Sequence, residues 1–372
     1  MNLDTLLRVM VSKGASDLHL KVNCFPHVRI NGELVPLADQ GKLGKEDSLM
    51  MAFSIMNAKQ KERFRDTAEV DIGYGLRGLG RFRVNVFQQR GNVSVAIRSV
   101  PTSIMSFEEL YLPGILETIT NEPRGLVLVT GTTGSGKSTT IASMLNYINQ
   151  HSMRHIITVE DPIEFLYTDR MSLISQREIG VDAYSFAGAL RSALRQDTDV
   201  ILVGEMRDLE TIETALIAAE TGHLVFSTLH TLDAVETINR IIAVFPIHQQ
   251  RQIRLQLSMV LRAVISMRLM RRTDVAGRVP AIEILRTTDF IKSCVVDPDK
   301  TRLLREAIAA GTSQYGMQSF DQSIYEHWKA GRITLDDALS YSTNPEEFKL
   351  RVQGIYTTKD AAIEAMENEM AR

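Results

Sequence analysis

The 372-residue chain carries 42 Lys and Arg against 45 Asp and Glu, a formal charge of −3, which supplies no general field for drawing in nucleic acid or an anionic surface. Hydrophobic residues make up 44%, charged residues 23%, and Gly and Pro number only 23 and 10, which excludes disordered, collagen-like and low-complexity chains. The length suits two folded units, each with its own core.

"LDTLLRVMVSKG" puts Leu3, Leu6, Leu7 and Met10 on one helical face and stops at Gly14, after which "SDLHLKV" alternates as a strand. Asn31-Gly32 in "HVRINGELVPL" signals a hairpin, because both residues tolerate positive φ. A second helix is expected over "KEDSLMMAFSIMNAKQKERFRD", then three strands, "EVDIGYGL", "GRFRVNVFQQ" and "NVSVAIRSV", joined by Gly-containing turns. Residues 1–100 therefore read as a small α+β domain, and the Pro-punctuated residues 101–122 as a linker. From Gly125 apolar strands alternate with amphipathic helices ("LVLVTG", "STTIASMLNYINQ", "HIITVE", "SFAGALRSALRQ", "DVILVGE", "LETIETALIAAET", "HLVFSTLH", "AVETINRIIAVF"). That pattern makes residues 123–290 an α/β unit with a largely parallel sheet covered on both faces. Residues 291–372 read as a helical appendage, ending in a charged helix after Ile355.

The longest apolar runs fall far short of the roughly 20 residues that cross a bilayer, and the first residues show no cleavage-type site. Cys24 and Cys294 lie far apart without metal-ligand spacing, so a cytoplasmic protein with free thiols is expected.

"GTTGSGKST" satisfies G-x-x-x-x-G-K-[ST] between a strand and a helix, the context of a phosphate-binding loop. Gly131, Thr132, Thr133, Gly134, Ser135, Gly136, Lys137, Ser138 and Thr139 are the expected ATP contacts. The backbone N–H groups cradle the phosphates, Lys137 reaches the β- and γ-phosphates, and Ser138 ligates Mg²⁺. "DVILV" followed by Gly204-Glu205 resembles a second nucleotide-binding strand with Gly where an aspartate usually stands; Glu205, one residue later, is the candidate for orienting Mg²⁺ directly or through water.

"TVEDPIEF" ends a third strand with three carboxylates. Glu160 is nearest the strand end and is the candidate for polarising an attacking water; Asp161, held extended by Pro162, fits a turn; Glu164 lies farther out. In "GHLVFSTLHT" the two histidines are seven apart, about 23 Å along a strand at about 3.3 Å per residue, so both cannot meet one phosphate. His230, at the carboxyl end, is the candidate γ-phosphate sensor, and His223 is expected to be structural or interfacial.

Arg77, Arg81, Arg83, Arg90 and Arg98 fall within 77–98 without one acid, and "GRFRVNV" sets Arg81 and Arg83 on one strand face. The segment lacks interleaved stacking aromatics, which argues against nucleic acid. An arginine supplied to a neighbouring subunit's γ-phosphate and a solvated sheet face remain as readings.

"GTTGSGKSTT", "ITVEDPIEF", "LRQDTDVILVGEMRD" and "GHLVFSTLHT", in that order, resemble the Walker A, Asp box, Walker B and His box of the secretion ATPase superfamily. The opening "LLRVMVSKGASDLHL" and the ending "GMQSFDQSIYEHWKAGRITLDDALSYS" are similar to the PilT-type pilus retraction ATPases. The resemblance implies an α/β, RecA-like P-loop ATPase domain joined to an N-terminal PAS-like domain. It also implies a homohexamer at the inner-membrane base of a type IV pilus, working against a platform protein to retract the fibre. By the same resemblance Glu160 is the general base, Glu205 the Mg²⁺-linked acid and His230 the γ-phosphate contact, with Arg83 and Arg98, or Arg81, delivered from the N-terminal domain. Where retraction motors read Ala-Ile-Arg-Asn-Leu-Ile-Arg-Glu, this chain has "FIKSCVVDPDK" nearby and only "LLRE" later, which admits an alternative role as an accessory paralogue beside another retraction ATPase.

Overall fold

In the computed structural model, which describes residues 2–30, 32–101 and 103–355, the one-face set Leu3, Leu6, Leu7 and Met10 is buried along α1 (Leu3–Ser12), whose first turn Asn2 caps by accepting the Asp4 N–H. The expected helix after Ile355 and residue Asn31 lie outside the described residues. The chain divides into two units, Met1–Ser103 with Pro162–Tyr167, and Ile104–Asp161 with Thr168–Arg372.

The first unit holds β1 (Asp17–Leu20), β2 (His27–Ile30) and β3 (Glu33–Pro36), then α2 (Lys45–Ser54), α3 (Ala58–Thr67), β4 (Glu69–Leu76), β5 (Gly80–Gln89) and β6 (Asn92–Val100). The single helix expected over residues 45–66 is two, because Asn57 accepts the Gln60 N–H while the Gln60 side chain accepts the Asn57 N–H, and that reciprocal cap starts a new helix. The strands form one sheet in the order β3-β2-β1-β6-β5-β4, with antiparallel neighbours. Leu18, Val28, Phe82, Val84, Val86 and Ile97 bury one sheet face against Leu6, Leu7 and Phe64. The alternate residues make a polar face, where register sets Arg29, Asp17, Arg98 and Arg83 in one row across four strands.

The second unit runs α4 (Ile115–Thr120), β7 (Gly125–Thr130), α5 (Lys137–His151), β8 (His155–Glu160), β9 (Leu173–Glu178), α6 (Phe186–Ala193), β10 (Val200–Val203), α7 (Leu209–Glu220), β11 (Leu224–Leu229), α8 (Ala234–Ala243), α9 (Ile247–Val260), β12 (Leu261–Arg271) and β13 (Arg278–Arg286). Its sheet has the order β13-β12-β7-β11-β10-β8-β9, parallel except for the antiparallel edge strand β13. The parallel core matches the expectation; β9 and β12 are strands that the sequence reading did not assign. Leu126, Leu128, Ile157, Val159, Ile201 and Val203 point into one core, shared with helices α6 to α9. The intervening Val127, Val129, Ile156 and Thr158 are as deeply buried, which is why these strands read as continuous apolar runs.

The chain closes with α10 (Asp289–Val296), a 3-10 stretch Pro298–Leu303, α11 (Leu304–Ala310), α12 (Thr312–Tyr315), α13 (Phe320–Lys329), α14 (Leu335–Tyr341) and α15 (Pro345–Val352). Phe320, Ile324, Ile333, Ala338 and Phe348 form a satellite core on Met270, Val279 and Ala281 of β12 and β13.

Candidate nucleotide site

Four neighbouring parallel strands, β7, β11, β10 and β8, end at one sheet edge, and each is followed by a residue or loop singled out in the sequence. β7 runs into the phosphate loop. Gly131 adopts φ +143°, where a Cβ would stand 2.5 Å from both the Met267 carbonyl oxygen and Ser135 Oγ, so no side chain fits. Lys137 is buried and its Nζ donates to the Gly131 and Thr132 carbonyls at 2.8 and 2.9 Å, lying back over the loop. The Ser135 hydroxyl is buried without a hydrogen-bond partner, and α5 starts at Gly136 without a side-chain cap. A cavity of about 360 Å³ opens beside the loop, lined by Thr132, Thr133, Gly134, Arg268, Arg278 and Tyr341.

An uncapped helix start, a buried ammonium and an unsatisfied hydroxyl around one loop fit a polyphosphate. Ser138 and Thr139 occupy the first turn of α5, half-buried. Among the described residues no group of three or more His, Cys, Asp or Glu is arranged to hold a metal ion. Magnesium bound through one hydroxyl, one carboxylate and substrate phosphates needs no such group.

Glu160 ends β8, only 7% exposed, where its Oε1 accepts the Thr158 hydroxyl at 2.7 Å and the Gln176 amide at 3.4 Å. Glu178, 3% exposed, lies directly opposite it on β9, so a second buried carboxylate belongs to this strand end. Asp161 is exposed, and the chain passes into the first unit at Pro162, so Glu164 belongs to a different unit from Glu160.

Gly204 follows β10, its N–H donating to the Val159 carbonyl at 2.8 Å and its own carbonyl accepting the Thr228 hydroxyl at 2.6 Å. A Cβ there would stand 3.2 Å from the Val159 oxygen and 3.4 Å from Glu160 Cα. A side chain here would have to displace the end of β8 by a few tenths of an ångström, which favours glycine. Glu205 lies between two side chains: Oε1 pairs with Arg207 Nε at 2.5 Å, and Oε2 lies 3.7 Å from His230 Nε2. His230 follows β11 and its side chain is half exposed, whereas His223 at the other end of that strand turns its Nδ1 to the Ala218 carbonyl at 3.0 Å.

In the first unit Arg83 and Arg98 are cross-strand partners, both exposed, and Arg81 is half-buried rather than fully exposed. Arg98 Nε donates to Asp17 Oδ1 at 2.8 Å while its side chain stays 69% exposed. Asp17 therefore orients that guanidinium without covering it. The Asp17 carboxyl is held below its ordinary range: burial raises it, and the Ser16 hydroxyl and Arg98 outweigh that effect.

Residues 3–366 match the family model described as Type II/IV secretion system protein. The chain belongs to that family. It is a secretion-type ATPase, similar to the type IV pilus retraction ATPase PilT of Pseudomonas aeruginosa, 42% identical over 348 residues that cover 94% of this chain and all of that protein. The type IV pilus ATPase PilU of the same organism is 38% identical over 95% of this chain and 92% of that one. Among solved structures, the pilus retraction motor PilT with bound ADP superposes with a TM-score of 0.85 at 46% identity, covering 93% of this chain and 98% of that one. The Legionella pneumophila ATPase DotB superposes at 0.73 with 27% identity, covering 95% of both chains. The fold is thus that of a RecA-like ATPase domain with a smaller N-terminal α+β domain. Among the described residues no helix of this secretion-type ATPase is long and apolar enough to cross a membrane.

Sequence reasoning passed over Glu178, Arg207 and Glu283. Glu178 ends "LISQRE" of β9, two apolar residues followed by four polar ones, so it had no periodicity signal. Arg207, two residues beyond Glu205, had none short of the turn that folds it back.

Proposed function

We propose that the protein is a Mg²⁺-dependent ATPase that works as a homohexamer at the inner-membrane base of a type IV pilus, on the cytoplasmic side, pulling against a platform protein to depolymerise the fibre and drive twitching motility. The carrying observation is the convergence of the phosphate loop, Glu160, Glu205 and His230 at one edge of the sheet, with the Glu205 carboxylate between Arg207 and His230. The similarity to PilT along nearly the whole of both chains supports the choice of machine.

The roles follow from position. Gly131 to Thr139 hold the polyphosphate, Lys137 leaving its two carbonyl partners for phosphate oxygens. Ser138 and Glu205 would hold the metal ion, which when bound would neutralise negative charge on the phosphate oxygens. Glu160, buried at its strand end, takes the proton of the attacking water, and Thr158 fixes the direction of its carboxylate. His230 contacts the γ-phosphate. Arg83 and Arg98, with Arg81 beside them, supply positive charge to the nucleotide of a neighbouring subunit.

Lys137→Ala is expected to abolish ATP hydrolysis by the purified protein and to leave a strain lacking its own retraction ATPases without twitching. Undiminished hydrolysis in that variant sinks the site assignment. The similarity to PilU favours a second reading, a nucleotide-binding accessory beside another retraction ATPase. In that case the wild-type chain alone fails to restore twitching in such a strain but does so when a retraction motor is supplied.

A further inference from the structure

Glu283, near the middle of β13, is a carboxylate set inside a core. It is 7% exposed and lies on the sheet face that Val264 and Leu285 share with α8. Register aligns it with Ser266 of β12 and Thr130 of β7, the last residue before the phosphate loop, and the Thr130 hydroxyl donates to Ser266 Oγ at 3.1 Å. Glu283 Oε1 accepts the N–H of Ala234, the first residue of α8, at 2.9 Å. First-turn N–H groups have no acceptor within their own helix. Asp233 satisfies Glu236 at 2.7 Å, and Glu283 satisfies Ala234. The segment between β11 and α8 is only residues 230–233, with His230 at its head. Its far end is held by Glu283, by the Asp233–Arg305 ion pair at 2.8 Å and by the Thr231–Thr237 hydroxyl contact at 2.7 Å. Burial pushes the Glu283 carboxyl up to about 7; Asp233 acts in the same direction, and Ala234 N–H, Arg268 and Arg305 oppose it. So unfavourable a location for a carboxyl is offset by the acceptor it provides.

We propose that Glu283 is a positioning residue for hydrolysis: by holding the Ala234 N–H it fixes the first turn of α8, and with it the short segment that carries His230, relative to the base of the phosphate loop. This rests on the role proposed for His230.

The test compares Glu283→Ala with Glu283→Gln, which keeps an acceptor oxygen, in the full-length protein. A displacement of about 1 Å in a catalytic contact costs up to roughly 100-fold in rate. Glu283→Ala should therefore lower kcat by about 10- to 100-fold with nucleotide Kd changed less than about threefold, while Glu283→Gln stays within about threefold of wild type. Should Glu283→Ala fail to fold, Ala234→Pro removes the same N–H. Proline is tolerated at the first helical position, and Asp233 already has the extended backbone, φ −151° and ψ 174°, that a following proline requires. In a His230→Ala background the Glu283→Ala change should cost little more. Wild-type kcat in both Glu283→Ala and Ala234→Pro, or losses that multiply with an impaired His230→Ala, overturns the proposal alone. Wild-type turnover in His230→Ala overturns the role of His230 and this proposal with it.

Discussion

Glu160→Gln is expected to separate nucleotide binding from hydrolysis. The amide oxygen of Gln can still accept the Thr158 hydroxyl that now lies 2.7 Å from Glu160 Oε1, and side-chain volume is unchanged. One hydrogen bond contributes about 1 kcal/mol, and since this one is kept the unfolding midpoint should hardly move. The phosphate loop lies on a different strand, so nucleotide affinity should stay near wild type. What disappears is the ability to accept a proton. General-base catalysis contributes roughly 10²- to 10⁴-fold, about 2.8 to 5.6 kcal/mol of barrier at about 1.4 kcal/mol per decade. Phosphate release, measured beside the binding of a fluorescent ATP analogue, should show a variant that loads nucleotide and barely turns over. Exposed Asp161, tested as Asp161→Asn, should keep most of its activity. Brisk turnover by Glu160→Gln, or equal impairment of Asp161→Asn, would refute the division of labour at this strand end.

Two further outcomes concern stability. Gly204→Asp restores the carboxylate that usually stands at this position, but its Cβ meets the Val159 oxygen at 3.2 Å and its charge lies beside buried Glu160, so a loss of about 1–3 kcal/mol is expected in denaturant unfolding; an unchanged midpoint would show that the strands spread freely here. His327 is held neutral by burial, one ring nitrogen at the Pro280 carbonyl and the other facing Arg332, and its pKa falls from 6.5 to about 4. The unfolded chain therefore binds the proton first, so the stability this group contributes is complete above about pH 6.5 and is lost as pH falls toward 4. His327→Gln should flatten the acid limb of a plot of unfolding midpoint against pH, and an unaltered limb would place the acid sensitivity elsewhere.

Much of this was local chemistry and therefore legible in the sequence. The phosphate loop is a contiguous run in which backbone N–H groups, one lysine and the hydroxyls stand close together in sequence, and the apolar strands around it announce a buried parallel sheet wherever they occur. The order in which strands pair is not local. Only the tertiary structure sets β8 beside β10 and β10 beside β11, and so brings Glu205 to His230 and presses Gly204 against the end of β8. Glu178 and Glu283 went unnoticed because a lone carboxylate in a short strand looks solvated until the packing around it is known. Sequence by itself marked the groups proposed to carry the chemistry. The packing of strands distant in the chain decided which of them meet, because burial and close approach belong to pairs of segments rather than to either segment alone.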